Sequence, residues 1–339
     1  MSSRETAKGI VLINKPRGLT SFGVVSRMRK LTGIRKIGHC GTLDPFAEGL
    51  LPVCIGRATS AIQFMDGYDK TYLVKINFGR ATDTMDTEGS TIDEYNFTQS
   101  ELNELAANDF IMLRQAVQNM IGSSQQTPPM YSAVKLDGKP LYSYAREGKT
   151  VERKSRKINI YDAQLINIDL DVEKLSLAVD LRISCSKGTY IRVIADELGR
   201  SLGYFAYAAE LAREKCGPYL LDQAVDIEEL FAWSRELNDQ SKFIELISKR
   251  EILMPMSSAF ADVPRLELEQ TEAISLIQGK TLMISDLADK SAVNYTSELL
   301  VLYYADELIA AARITIDEYN RKQLKTERVF VDLEAFRSI

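Results

Sequence analysis

Apolar residues in the first part of the chain form short continuous runs, interrupted by one helical pattern. Residues 9–13 are continuously apolar, which predicts a buried strand that leads into a tight turn at a Lys-Pro pair. Between Ser21 and Gly33, apolar side chains recur every three or four positions, and Thr20 or Ser21 is suited to cap the helix that this spacing predicts. A second apolar run over 50–55 again predicts a buried strand.

Alternation and helical spacing continue along the rest of the chain. Residues 70–78 alternate between apolar and polar positions, so we predict a strand with Tyr72, Val74 and Ile76 on one face. Residues 158–183 also alternate in the manner of strands. Helices are predicted over 58–65, over 99–121 with a break near Asp109, and over 193–202; from about residue 262 we predict short strands and a helix over 271–278.

The loop before the second apolar run has the most constrained sequence in the chain. Residues 38–52 read GHCGTLDPFAEGLLP and contain three glycines, two prolines, the carboxylate Asp44 and the single histidine, His39. Glycine allows backbone conformations that other residues avoid, and proline restricts the residue before it, which here is Asp44. A rigid loop that presents a carboxylate is a candidate site for chemistry. A plain Asp-Pro turn is the competing interpretation.

The charge is unevenly distributed although the net charge is −5. Residues 1–38 carry nine basic side chains and one acid, and residues 135–157 carry eight basic side chains and three acids. Taken alone, each segment is better explained by a solvated charged face. Basic residues mixed with tyrosines over 124–157 are, however, typical of a surface that contacts folded RNA.

Composition restricts the class of protein further. Apolar residues make up 45% of the 339 residues, which is enough for a large core, and the length favours one large and one small domain. The four cysteines form no CxxC pair, which argues against zinc sites and disulfides. We find no signal-peptide pattern and no apolar stretch long enough to span a membrane, so we expect a protein of the reducing cytoplasm.

Five segments in order resemble the motifs of one enzyme family, the TruB family of tRNA pseudouridine-55 synthases. They are NKPRGLTS at 14–21, GHCGTLDPFAEGLLP at 38–52, KTYLV at 70–74, QTPPMYSAVK at 126–135 and SKGTYIR at 186–192. Weaker similarities are the acidic loop RATDTMDTEG at 80–89 and LAREKCGPY at 211–219. One departure is Tyr207, where many bacterial members have a histidine.

The resemblance implies an α+β pseudouridine synthase fold, a mixed and largely antiparallel sheet flanked by helices, followed by a small PUA-like β-domain. We therefore predict a catalytic domain over 1–260, with an insertion over 124–157 that clamps the RNA, and a C-terminal RNA-binding domain over 261–339.

The resemblance also implies roles for individual residues. Asp44 would be the catalytic carboxylate, and Arg192 would pair with it. Tyr72 and Tyr190 would line the uracil pocket, Leu211 would form an apolar wall, and His39 would contact the RNA near the flipped nucleotide. Without the resemblance, Tyr72 reads as a core tyrosine and His39 as a structural histidine. We expect Lys15 and Pro16 to support the loop, Cys40 to pack, and Asp86 either to support the site or to lie in a plain loop.

The implied reaction converts uridine to pseudouridine in the TΨC arm of tRNA, with the base flipped out of the stack. It adds and removes nothing overall, so we expect neither a cofactor nor a metal. We expect tRNA as the partner, no obligatory protein partner, no membrane, and a monomer. Two alternatives stay open: a guide-RNA-dependent rRNA pseudouridine synthase subunit, and a non-catalytic protein that binds or folds tRNA.

Overall fold

A computed structural model describes residues 7–288 and 299–337 of the chain. In the described part the strands are, in chain order, β1 Gly9–Lys15, β2 Ile37–His39, β3 Glu48–Ile55, β4 Lys70–Phe78, β5 Arg80–Thr82, β6 Thr91–Glu94, β7 Gly122–Gln126, β8 Lys135–Leu136, β9 Lys139–Pro140, β10 Arg156–Asp171, β11 Ser176–Cys185, β12 Ala206–Cys216, β13 Tyr219–Leu220, β14 Val225–Asp226, β15 Arg265–Glu267, β16 Leu282–Met283, β17 Leu299–Tyr304, β18 Glu307–Ile316 and β19 Lys322–Val329.

The α-helices of the described residues are α1 Ser21–Thr32, α2 Ile62–Met65, α3 Gln99–Ala107, α4 Ile111–Asn119, α5 Leu141–Arg146, α6 Ile191–Leu202, α7 Ile227–Leu237, α8 Gln240–Lys249, α9 Gln270–Ile277 and α10 Leu333–Phe336. Short 3₁₀ helices lie at Gly56–Ala61, Leu221–Gln223, Met256–Phe260 and Ile284–Asp286. No helix in the described ranges is long and apolar enough to cross a membrane.

Ten strands form one large mixed sheet in the order β14-β1-β3-β12-β4-β11-β10-β7, with β2 beside β3 and β13 beside β12. The pairs β1–β14 and β3–β12 are parallel, and the other pairs are antiparallel. Strand β4 lies near the centre, and its inward positions, among them Tyr72, Val74 and Ile76, are buried as the alternation predicts. Helices α3, α4 and α6 supply buried residues to the same core.

The C-terminal part forms a separate five-stranded sheet in the order β15-β17-β18-β19-β16. Its own core includes Leu266, Leu276 and Leu300. A second face packs against the large sheet, because Val301 and Phe330 share a buried cluster with Ile10 and Leu12 of β1. The fold class is therefore confirmed as α+β with a small C-terminal β-domain. The proposed boundary between residues 260 and 261 stays a prediction.

Helix boundaries follow local capping chemistry where the sequence contains it. The Thr20 side chain accepts a hydrogen bond from the Gly23 amide at 2.9 Å, and Gly33 ends α1 in the left-handed conformation, with φ of 72°. The predicted break near Asp109 is confirmed, since Asp109 and Phe110 both have positive φ and separate α3 from α4.

The helix predicted over 58–65 is only partly correct. Residues 56–61 form a 3₁₀ helix, and the α-helix is limited to Ile62–Met65. The hydroxyl groups of Thr59 and Ser60 donate to the carbonyls of Gly56 and Arg57 at 2.8 and 2.7 Å. Such local bonds compete with the hydrogen bonds of an α-helix, which explains the tighter turn.

Candidate active site

The loop that carries Asp44 is held by the start of α1 and by the turn before it. The hydroxyl of Ser21 accepts from the Leu43 amide at 2.9 Å and donates to the Leu43 carbonyl at 3.1 Å. The Gly18 amide donates to the Pro45 carbonyl at 2.7 Å. Both neighbours of Asp44 are thus fixed by hydrogen bonds, which restricts where its carboxylate can point.

Lys15 also supports this loop, through hydrogen bonds from its buried ammonium group. Its side chain is fully buried, and Nζ donates to the carbonyls of Pro16, Leu19 and Pro45 at 3.0, 2.7 and 3.5 Å. Burial lowers the pKa of Lys15 to about 8, although Asp44 acts in the opposite direction. These contacts agree with the supporting role predicted for this residue, and its absence from the chemistry stays a prediction.

Arg213, which the sequence had not singled out, joins the two ends of the loop. It is fully buried at the point where β12 passes β3, and its guanidinium donates to the carbonyls of Leu50 at 2.7 Å and Gly41 at 3.0 Å. Gly49 has φ of 98°, and a Cβ there would lie 2.6 Å from the Arg213 carbonyl oxygen. A side chain at position 49 would therefore displace the strand that carries Arg213.

Arg192 lies between two carboxylates. Its Nε is 2.8 Å from Oδ2 of Asp44, and its Nη1 is 3.4 Å from Oδ2 of Asp86. The remaining donors bind backbone carbonyls, Nη1 to Thr84 at 2.7 Å and Nη2 to Tyr131 at 2.8 Å. The side chains of Arg192 and Asp86 are 3% and 5% exposed, whereas that of Asp44 is 30% exposed. Asp44 is therefore the member of this group that an incoming molecule can reach.

The surroundings of Asp44 act on its ionisation in opposite directions. Burial raises the pKa of the carboxyl group, the Arg192 guanidinium lowers it, and the Asp86 carboxylate raises it. Without the guanidinium, burial and Asp86 would both favour the neutral acid. Arg192, with a smaller contribution from Lys15, favours the charged form of Asp44, but burial has the larger effect and the pKa stays above its ordinary value.

Asp86 is fixed in the acidic loop after β5. Its Oδ1 accepts from the Thr84 hydroxyl at 2.6 Å and from the Glu88 amide at 2.9 Å, and its carbonyl accepts from Thr82 at 2.8 Å. The loop also binds the large sheet, because the Ala208 amide donates to the Met85 carbonyl at 3.0 Å. The alternative of a plain surface loop does not fit this arrangement.

A cavity of about 760 Å³ opens beside Asp44. Four of the predicted residues line it together with Asp44, namely Tyr72, Tyr190, Arg192 and Leu211. The side of the cavity also carries cationic groups from several parts of the chain: Lys70, Arg156, Lys157, Lys187 and Arg213. Aromatic, apolar and cationic walls next to a carboxylate suit a planar polar base that is attached to a phosphate backbone.

The two tyrosines occupy different environments. Tyr72 is 8% exposed, and burial raises the pKa of its hydroxyl to about 12, so the phenol is neutral at physiological pH. Tyr190 is half-buried, and the Arg156 guanidinium lies 4.8 Å from the centroid of its ring. Tyr72 is thus both a core residue and a wall of the cavity, as the two interpretations of its sequence position separately suggested.

His39 lies outside the described lining of the cavity. It ends β2 opposite Val53, it is half-buried, and its Nδ1 is buried without a hydrogen-bond partner in the described structure. Burial lowers the pKa of the imidazole, Arg213 lowers it further, and Asp66 opposes both. Because Asp66 and Arg213 themselves line the cavity, the neutral ring lies next to the site and not within it.

The two basic segments, residues 1–38 and 135–157, contribute unequally to the lining of the cavity. Arg156 and Lys157 line the cavity, but Arg27 is paired with Glu228 and Lys139 with Glu147. Arg4 lies outside the described residues.

The four cysteines are free and buried, which agrees with packing roles. In the described ranges no cluster of three or more His, Cys, Asp or Glu side chains is placed to hold a metal.

Comparison with known proteins identifies the family. Residues 29–191 match the model of the TruB family pseudouridylate synthase N-terminal domain. A tRNA pseudouridine synthase B of Lactobacillus gasseri is 38% identical over 297 residues, which cover 87% of this chain and 93% of that protein. A protein of the same name from Aromatoleum aromaticum is 39% identical over 279 residues, 82% of each chain.

Solved structures share the fold at lower identity. The crystal structure of a Cbf5-Nop10-Gar1 complex matches with a TM-score of 0.71 and 21% identity, and the match covers 98% of this chain and 88% of the other. An archaeal box H/ACA sRNP Nop10-Cbf5 complex matches with a TM-score of 0.67 and 20% identity, covering 98% and 89%. The sequence relatives, at higher identity and nearly full length, decide the assignment: the chain belongs to the TruB family of pseudouridylate synthases, enzymes that isomerise uridine to pseudouridine.

Proposed function

We propose that the substrate is tRNA and that the enzyme isomerises uridine 55 in its TΨC arm, with Asp44 as the catalytic carboxylate. The observation that carries this proposal is the ion pair of 2.8 Å between Arg192 and the partly exposed Asp44 at the wall of a cavity of about 760 Å³. Relatives that are 36–39% identical bear the name tRNA pseudouridine synthase B, which supports tRNA as the substrate.

The reaction breaks the bond between C1′ and N1 of uridine, turns the base, and joins C1′ to C5. The hydrogen of C5 leaves and N1 gains a proton, so the product is an isomer and no redox cofactor is needed. Asp44 attacks C1′ or C6, or removes a proton from the sugar; each route requires the ionised carboxylate. Burial raises the pKa of Asp44, and the Arg192 guanidinium favours the ionised state by opposing that effect.

Asp44 lies at the wall of a cavity, which a base inside an RNA stack does not enter, so the target uridine leaves the stack before it reacts. Tyr72, at the buried end, and Tyr190, at the open end, contact the faces of the uracil, and Leu211 supplies an apolar wall. Next to the cavity, His39 contacts the RNA where the nucleotide has left the stack. Burial keeps this histidine neutral, which suits stacking and hydrogen bonding more than binding of phosphate.

Cationic side chains at the opening bind the phosphates on either side of the flipped nucleotide. Arg156, Lys157 and Lys187 line the cavity, and none of them has a carboxylate partner among the described ion pairs. The insertion over 124–157 and the domain over 261–339 extend this contact along the tRNA. We propose that the enzyme acts as a monomer in the cytoplasm, without an obligatory protein partner.

The solved structures that share the fold come from complexes with further proteins, in one case bound to a substrate RNA. At 19–21% identity they show the fold alone, and no contact among the described residues favours a guide-dependent assembly over a stand-alone enzyme. The non-catalytic alternative fits poorly with a partly exposed carboxylate that is paired with a buried guanidinium at a cavity.

The proposal is tested by mapping the product. An unmodified tRNA transcript and a matched transcript with cytidine at position 55 are each incubated with the purified enzyme alone, and pseudouridine is located by chemical adduct formation and primer extension. We expect one stop, at position 55, in the first transcript and none in the second. A stop elsewhere would overturn the assigned position, and no stop in either would overturn the stand-alone enzyme.

A further inference from the structure

The insertion over 124–157 is connected to the active site by one buried glutamine. Gln126 ends strand β7 and is 1% exposed, whereas its neighbours Gln125 and Thr127 are exposed. Burial of a primary amide is unfavourable unless its donor and acceptor are both used. The partners of the Gln126 amide therefore indicate why the residue is buried here.

Both ends of the Gln126 amide bind the backbone of Tyr190. Nε2 donates to the Tyr190 carbonyl at 3.1 Å, and Oε1 accepts from the Tyr190 amide at 2.8 Å. Tyr190 is the residue before helix α6, and no side chain of the helix itself caps this end. Gln126 therefore supplies, from a distant part of the chain, the acceptor for the Tyr190 amide that the third helical residue supplies in a capping box.

Two further contacts join the insertion to the same helix start. Arg156 pairs with Gln126 across strands β7 and β10, and its guanidinium lies over the ring of Tyr190. Nearer the start of the insertion, the Tyr131 carbonyl accepts from Arg192, which is the second residue of α6 and the partner of Asp44. Both stems of the insertion thus contact residue 190, and Tyr131 contacts residue 192.

We propose that Gln126 is a positioning residue that couples the seating of the insertion on RNA to the placement of Tyr190 and, through the first turn of α6, of the Arg192–Asp44 pair. The proposal rests on the tRNA synthase activity proposed above. Because Tyr190 and Arg192 lie at the start of one helix, a shift of the Tyr190 backbone moves both. Displacements of about 1 Å can lower a reaction rate by about 100-fold.

The test uses Gln126→Met, which keeps the length of the side chain and removes both hydrogen bonds. Gln164→Met is the matched control, since it makes the same change on an exposed residue of strand β10 that lies outside the insertion. Two quantities are measured with a transcript tritiated at uridine C5: the single-turnover rate of tritium release at saturating enzyme, and the Kd for the same tRNA. We expect Gln126→Met to lower the rate roughly 10- to 100-fold with an unchanged Kd, and the control to alter neither.

An unchanged rate in Gln126→Met would overturn the proposal, and so would a loss of rate that is accounted for by an equal loss of tRNA affinity. If thermal melting shows that the methionine variant is unfolded, Gln126→Asn carries the same comparison. Asparagine keeps an amide in the buried position but is one methylene too short to bind both atoms of Tyr190, so a wild-type rate for it would also overturn the proposal. Failure of the wild type to release tritium would instead count against the proposed function itself.

Discussion

Arg192 places its Nη1 atom 3.4 Å from Oδ2 of Asp86 while its Nε lies 2.8 Å from Asp44. Two carboxylates therefore share one buried cation. Of the two, Asp44 is open to the cavity, and Asp86 is enclosed and bound by its own loop. This arrangement separates a carboxylate that can react from one that holds the guanidinium in place.

Replacement of Asp86 tests that division. Asp86→Asn keeps an acceptor for Thr84 and Glu88 but removes the charge that holds Nη1 of Arg192. We expect the single-turnover rate to fall about tenfold through misplacement of the guanidinium, with little change in tRNA binding. Since Asp86 raises the pKa of Asp44, the acid limb of the rate profile should also move to lower pH. Asp83→Asn, on an exposed residue of the same loop, should change neither the single-turnover rate nor the position of the acid limb.

Replacement of Arg192 should move the acid limb of the rate profile to higher pH, opposite to the effect of replacing Asp86. The guanidinium lowers the pKa of Asp44, so Arg192→Met leaves burial and Asp86 to raise it. The ionised fraction of Asp44 then declines at higher pH than in the wild type, and the acid limb of the single-turnover rate shifts upward. Rate measurements from pH 5 to 9 distinguish the two variants. An acid limb at the wild-type position in Arg192→Met would contradict the assigned role of the ion pair.

Burial of Lys15 should make the free energy of unfolding depend on pH in an unusual way. The pKa of its side chain is about 8 in the folded protein, whereas an exposed lysine, as in the unfolded chain, has a pKa of 10.5. Between these two pH values the folded chain therefore binds fewer protons than the unfolded chain. The contribution of Lys15 to stability therefore increases as pH rises through this window, by about 3 kcal/mol in total. Urea unfolding of wild type and Lys15→Met across pH 7 to 10.5 measures the difference. A difference that stays constant with pH would show that the ammonium is not buried as described.

Arg213 provides a test of how the loop is held. Arg213→Lys keeps the charge, but one ammonium group cannot replace the forked donors that bind both Gly41 and Leu50. We expect a loss of about 1–3 kcal/mol in the free energy of unfolding, because a buried carbonyl loses its partner. Arg182→Lys is the control, since that arginine pairs with Glu214 at a more exposed position and should change stability by less than about 1 kcal/mol. Equal effects in the two variants would argue against a bridging role for Arg213.

The elements that were predictable from sequence are those with local causes. Thr20 and Gly33 set the ends of α1, and the alternation over 70–78 placed Tyr72 in the core. The glycines and prolines around Asp44 marked a loop of fixed shape. The resemblance to the family then supplied Arg192, Tyr190 and Leu211, which the structure brings to one cavity.

The remaining features depend on contacts between distant segments. Gln126 and Arg213 act through backbone atoms that lie far away in sequence, and no local pattern marks such bonds. Asp86 reaches Arg192 only because its loop is bound to β12. Thr59 and Ser60 changed the predicted helix over 58–65 because hydroxyl groups competed with its backbone bonds. The spacing of apolar residues alone does not predict that competition.

The most direct test of the central claim compares wild type with Asp44→Asn on one tRNA transcript tritiated at uridine C5. Asparagine keeps the size of the side chain and removes the charge that every proposed route requires. We expect tritium release from the wild type, none from Asp44→Asn, and equal binding of tRNA by both proteins. Release by Asp44→Asn at a rate near that of the wild type would contradict the assignment of Asp44 as the catalytic carboxylate.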